Sequence, residues 1–419
     1  MSQKPIETRS FSIWMNMPSP YQADFFRALA RRPEANLHVI FGQPLDPMRK
    51  ELGWVIDGAG FSSSSLPATG RFLAALRWAW RARDHVHVIN GIWAVPEFLF
   101  ATVILMLLGT PVYFHAEVPD SRGRRGGVRR FVRDFMGRML LRQSQGIFAI
   151  SRLAENFYAG LAGSRQRVLP FGYFKHHVFR ARPNGQSAGF ELVFVGQLIE
   201  RKAVDLLIDA FADMANDAPD ARLTLIGTGP DRAHLEQLAE KRFVSDRVSF
   251  AGSVSSAEID DRIRKADVLV LPSHFDGWGL VINEALAGGV PVIVTSSCGA
   301  ADLIRDRRDG YVVPPGDRQK LANALRTVCS ERRTVRERPD PESWRRRIGL
   351  EAVTDYFFSC LCRTSPAVPA PSAPWLRDAI PETAIGGGLD WTGPAAHSGT
   401  KVSDEVGAAE LRGSSSPLV

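Results

Sequence analysis

Short apolar or β-branched runs alternate along this chain with longer stretches whose apolar residues recur at helical spacing. In the first half the pattern predicts strands over residues 11–15, 37–41, 86–89, 112–114 and 146–150. Helices are predicted between them, near 22–31, 72–83, 94–108, 128–142 and 153–162. The second half repeats the scheme, with strands at 192–195, 222–226, 248–250, 268–271, 290–294 and 310–313. After the first of these, Val204, Leu207, Ile208, Phe211 and Met214 fall on one stripe, as a helix packed on a sheet requires. Such alternation predicts an α/β fold of parallel sheets covered by helices on both faces.

The 419 residues suit two domains of this kind. A polar stretch from Asn184 to Gly189 punctuates the pattern, placing an N-terminal domain at 1–183 and a second at 184–340. From 364 to 419 the chain turns to Pro, Ala, Ser, Gly and Thr without periodicity, and a disordered tail is predicted. Trp375, Leu376, Ile380, Leu389 and Trp391 are scattered through it as residues able to dock weakly. The most lipid-like run, FLFATVILMLL at 98–108, is far shorter than the ~20 residues a bilayer span needs and reads as a buried helix. No apolar core of a signal peptide precedes Ser12. Cys298, Cys329, Cys360 and Cys362 lack zinc or redox spacing and read as reduced thiols of a cytoplasmic protein. A net charge of +7 favours an anionic partner without choosing among nucleic acid, phosphates and membrane.

Chemistry concentrates in SHFDGWGLVINEALAGGVPVIV, residues 273–294. A strand ends in a loop holding Asp276, Gly277, Trp278 and Gly279. A helix then starts near Leu280, carries Glu284 and stops at Gly288–Gly289. In an open α/β sheet the ligand crevice lies at the carboxyl ends of strands, where this loop sits. Glycines let backbone N–H groups approach a ligand, and a helix N-terminus favours an anion. Two carboxylates flanking such a cradle suit a sugar nucleotide, hydroxylated at both ends with a diphosphate between. Taken singly, Asp-Gly is a common turn and Glu284 a common dipole partner; the combination carries the reading. Arg201 and Lys202 supply cations able to neutralise a diphosphate leaving group. As a pair opening a helix they would oppose its dipole.

This segment resembles the signature of retaining glycosyltransferase family 4, in which an acid and a glutamate are separated by seven residues, as Asp276 and Glu284 are. VFVGQLIERK, from Val193 through Gly196 to Lys202, resembles the family's diphosphate-binding loop. LIGTGP, with Gly227 and Gly229, resembles its turn beside the base. The resemblance implies a GT-B architecture: two facing Rossmann-like, doubly wound domains with a cleft between them. A C-terminal helix near 341–363 would cross back to the N-terminal domain. It implies that Asp276 contacts the donor sugar, Glu284 the ribose, and Arg201 and Lys202 the departing diphosphate, so that no metal or other cofactor is required. Gly277, Trp278, Gly279 and Leu280 would complete the donor cradle. The family usually has Glu where this chain has Asp276, one methylene shorter. In the N-terminal half GTPVYFHAE, residues 109–117, sets His115 at a strand end, where the family places a histidine that bonds the donor sugar; a structural histidine is the rival reading.

Between Asp120 and Arg142 the sequence interleaves arginines with Phe131, Val132, Phe135, Met136, Met139 and Leu140. Arg122–Arg142 therefore suits either an anionic membrane or lipid-linked diphosphate, or simply a solvated helix. Nucleic acid fits less well, for want of a recognition motif. The resemblance implies sugar transfer from a nucleotide-diphosphate donor to a glycan or lipid-linked acceptor in surface polysaccharide or lipopolysaccharide assembly. An epimerase or phosphorylase on the same scaffold, or a non-catalytic sugar-nucleotide binder, are the alternatives.

Overall fold

The alternating pattern folds into two parallel sheets with the same winding. A computed structural model describes residues 8–45, 60–91, 93–118, 127–162, 167–177, 189–332, 337–362 and 370–376. Residues 184–188 of the hinge expected at 184–189, much of the basic stretch before Gly127, and 377–419 lie outside the described residues.

The first half runs β1 (Arg9–Met15), α1 (Pro20–Ala30), β2 (Ala35–Phe41), β3 (Ser62–Ser65), α2 (Arg71–Arg81), β4 (Val86–Ile89), α3 (Pro96–Leu107), β5 (Val112–Ala116), α4 (Gly127–Gln143), β6 (Gly146–Ile150), α5 (Arg152–Ala162) and β7 (Val168–Phe171). Its strand order is β3-β2-β1-β4-β5-β6-β7, parallel throughout. Period-two alternation sorts the strand side chains. Phe11, Ile13 and Met15 join the core that α1 completes, whereas Trp14, Ile89 and Phe114 face the cluster built with α2, α3, α4 and α5.

The second half runs β8 (Phe190–Val195), α6 (Val204–Met214), β9 (Ala221–Ile226), α7 (Arg232–Lys241), β10 (Val248–Gly252), α8 (Ser256–Lys265), β11 (Val268–Leu271), α9 (Val281–Ala287), β12 (Val292–Thr295), β13 (Gly310–Val313) and α10 (Arg318–Glu331). Its order, β10-β9-β8-β11-β12-β13, reverses direction between β8 and β11 as the first sheet does between β1 and β4. Those switch points open crevices at the strands' carboxyl ends. After α11 (Pro341–Ile348) comes α12 (Leu350–Leu361), whose Phe357 packs on Phe25, Phe148 and Phe171 of the first half. Tyr356 Oη donates to the Pro170 carbonyl at 2.9 Å.

Two expectations need correction. The helix at 98–108 is not buried: α3 sinks Phe98, Ala101 and Leu105, but Phe100, Val103 and Leu107 stand in solvent. Its apolar residues run all round, and the sheet covers only one side. Within the segment expected to be disordered, residues 374–376 form a 3₁₀ turn that puts Trp375 in the core, 2% exposed. Its ring centroid lies 4.6 Å from Phe174 and 5.3 Å from Tyr356. A large aromatic surface outweighs a local sequence bias toward disorder.

Candidate functional site

At the carboxyl end of β8 the chain makes a 3₁₀ turn, Glu200–Lys202, before Ala203 enters the left-handed region at φ 50° and starts α6. Arg201 and Lys202 therefore lie in this turn and not in the first turn of α6. Both reach across the switch point to the loop after β11. Lys202 Nζ pairs with Asp276 Oδ2, Arg201 Nη1 lies 3.8 Å from Oδ1, and Arg201 also donates to the Phe275 carbonyl at 2.8 Å. Asp276 is fixed from its other side, its N–H donating to the Ser297 carbonyl and its carbonyl accepting from the Gly299 N–H. The cluster has one carboxylate under two cations, each on a strand-end loop.

Glu284 sits in the first turn of α9 and is paired there with Lys175, from the segment after β7. Burial pushes its carboxyl up, against the pull of the Lys175 ammonium. Thus Arg201, Lys202 and Asp276 form one group, and Glu284 forms a second, tied to the first half of the chain.

Trp278 is a core residue, 3% exposed, rather than an open donor contact. Its Nε1 donates to Asn283 Oδ1 at 3.0 Å, and Asn283 in turn donates to the Tyr173 carbonyl at 3.2 Å. Gly227 is glycine for packing: at φ 138°, a Cβ there would lie 1.9 Å from the Gly196 carbonyl oxygen. Gly229 is crowded in the same way by Leu198. These glycines let the two loops pack closely against each other. Gly279, at φ 90°, and the half-buried Leu280 turn the chain into α9.

A cavity of about 660 Å³ lies at the first sheet's switch point. Asn16 and Met17 after β1, Asn90 and Gly91 after β4, and His115 and Glu117 at the end of β5 line it. Its size suits a small-molecule site. Trp93 borders it, and Ile92 lies outside the described residues. Asp276, Arg201 and Glu284 are not in its wall. Glu117 joins the two regions: a Cβ on Gly277 would come within 2.2 Å of Glu117 Oε2. Glu117 accepts a hydrogen bond from Tyr173 Oη, and burial raises its carboxyl, which that bond partly offsets.

The sequence pattern assigns no role to Glu117, Tyr173 or Lys175. The signal for Glu117 was its place two residues after His115, at a strand's carboxyl end. Tyr173 and Lys175 sit in a segment without periodicity, and only the fold brings them to the second domain.

His115 accepts at Nδ1 from Asn90 Nδ2 at 3.1 Å, and burial lowers it to about 4. It is therefore neutral at neutral pH. A depressed histidine binds its proton in the unfolded chain from 6.5 downward but in the folded one only near 4. Its contribution is intact above 6.5 and lost as pH falls through that window. Urea titrations of wild type and His115→Asn across it should show wild type losing stability relative to the variant; a constant difference would contradict the depressed value.

Residues 179–345 match the family model described as Glycosyl transferases group 1. Among curated relatives, sulfoquinovosyl transferase SQD2 of Arabidopsis thaliana is 29% identical over 183 residues, 41% of this chain and 34% of that protein. D-inositol 3-phosphate glycosyltransferase of Geodermatophilus obscurus is 35% identical over 170 residues, 38% of each. The chain thus spans little more than a third of the length of these relatives. The solved structure of Anabaena HepE in complex with UDP superposes with a TM-score of 0.64 at 16% identity, covering 84% of this chain and 99% of that one. The lipopolysaccharide outer core galactosyltransferase WaaB, in its apo form, gives 0.59 at 15%, covering 77% and 91%. The chain has the GT-B fold, and its residues 179–345 match the glycosyl transferases group 1 model.

Proposed function

We propose that this protein is a retaining glycosyltransferase that moves a sugar from a nucleotide-diphosphate donor to a glycan or lipid-linked acceptor. The observation that carries the reading is the convergence of Arg201, Lys202 and Asp276 at one switch point, facing Glu117 at the edge of a separate cavity. The relatives are named as sugar transferases, and HepE is described in complex with UDP.

In this reading Asp276 holds donor-sugar hydroxyls, Glu284 the ribose after displacing Lys175, and the two cations the diphosphate. The acceptor occupies the cavity, where His115 and Glu117 meet its hydroxyls. The bond from the anomeric carbon to the phosphate oxygen breaks, and the diphosphate keeps the electron pair as Arg201 and Lys202 neutralise it. The acceptor oxygen bonds to the same face of that carbon and releases its proton to the leaving phosphate. A cavity of acceptor size, distinct from the donor loops, favours transfer over epimerisation, which needs no acceptor. The four described cysteines are free thiols, in keeping with work at the cytoplasmic side of a membrane. Surface polysaccharide or lipopolysaccharide assembly, with peripheral contact through Arg122–Arg142, completes the proposal.

A panel of UDP-, GDP- and ADP-sugars tests it. At least one should raise the melting temperature by mass action and be split to nucleoside diphosphate. Asp276→Asn should bind that donor but cleave it about 10²-fold more slowly. A chain that binds a donor yet never splits it would be a binder, and one stabilised by none would end the proposal.

A further inference from the structure

Of the fourteen large hydrophobic residues that stand exposed among the described residues, nine lie on α2, α3 and α4. These helices cover one face of the first sheet together, all burying their inner sides in the same cluster, so their outer sides look the same way. On α2 and α3 the exposed set is Phe72, Leu73, Trp80, Phe100, Val103 and Leu107, with Leu107 78% exposed. The two helices pack side by side, and Phe72 meets Phe100 edge to face at 5.8 Å, so the surface is continuous. On α4, Phe131, Phe135 and Met139 fall at successive four-residue steps, and the two phenylalanine rings stack at 6.4 Å.

Exposed Arg77, Arg81 and Arg83 line α2 and its end, and Arg138 and Arg142 line α4. Among the described residues of these helices and their ends, the acids are Glu97, already taken by Arg71, with Asp84 and Asp134. No described helix is long and apolar enough to cross a membrane. Apolar outer sides on helices lying flat, edged by arginine, match a surface that enters the headgroup boundary while its cations meet anionic lipid. The cavity opens beside it, since Trp93, Asp134 and Gly137 belong to its wall.

We propose that the outer face of α2, α3 and α4 docks on an anionic lipid bilayer, with Trp80, Phe100 and Leu107 inserted among the acyl chains. This goes beyond the Arg122–Arg142 stretch by adding the apolar faces of α2 and α3, and rests on the proposed function only for what the cavity would take from the bilayer.

The test is co-sedimentation of the full chain with phosphatidylcholine vesicles, with and without phosphatidylglycerol, in low and high salt. Wild type should bind the anionic vesicles, retain part of that binding in high salt, and bind neutral ones weakly. Leu107→Glu and Trp80→Glu, at solvent positions where folding is undisturbed, should each weaken binding by about tenfold or more. Arg77→Glu with Arg81→Glu should abolish the preference for anionic lipid. Unchanged binding by both apolar variants would overturn the proposal. So would equal binding to neutral vesicles, or a dimer in vesicle-free solution that Leu107→Glu dissociates, which would give the face to a second copy. Loss of sugar transfer with vesicle binding intact would strike the proposed function alone.

Discussion

Lys202→Ala should lower the turnover number of donor cleavage by about 10²- to 10³-fold. Lys202 presents its ammonium to Asp276 from a turn fixed by the end of β8, and the pair is largely shielded from solvent. Negative charge grows on the diphosphate as the glycosidic bond stretches. A cation already in place stabilises that charge more in the transition state than in the ground state, so kcat should fall more than KM rises. Lys202→Arg keeps the charge but replaces a mobile point with a planar fork, and should recover only part of the rate. Release of nucleoside diphosphate at saturating donor measures this; a kcat within threefold of wild type would show that Lys202 serves Asp276 and not the leaving group.

Trp375→Ala should reduce stability by about 3–5 kcal/mol, the usual range for emptying a buried aromatic site. The indole is enclosed by Phe171, Phe174 and Tyr356, which come from the segment around β7 and from α12. No single element can collapse into the space without leaving the others. A urea denaturation midpoint shows the effect, and an unaltered midpoint would mean that the tail rests on the core without supporting it.

Much of the fold was readable because burial imposed periodicity. Strands at 192–195 and 268–271 are almost wholly apolar, as a sheet covered on both faces demands. The missed strands lacked that mark. β3 is four serines at the sheet edge, and its partner His38 bonds the hydroxyls of Ser62 and Ser64. β7 carries Pro170, which an edge strand tolerates.

The site divides along the same line. Arg201, Lys202 and Asp276 lie on two loops of a single domain, and the family resemblance implied that they meet. Glu117 touching Gly277, and Lys175 reaching Glu284, depend on how one half leans on the other, and no local pattern encodes that. Trp278 shows the opposite error. A tryptophan within a ligand-like motif invited a binding role, whereas the crowding of Gly172 beneath its ring explains it as an anchor.

Under the proposed function, the bond between Lys175 and Glu284 would couple occupancy to hinge freedom. Any separation of the two halves must first part an ammonium from a carboxylate in surroundings too dry for salt to screen them well. Hydroxyl groups that won the carboxylate would unfasten this catch, so a chain that had just gripped its nucleotide would also be the one readiest to open.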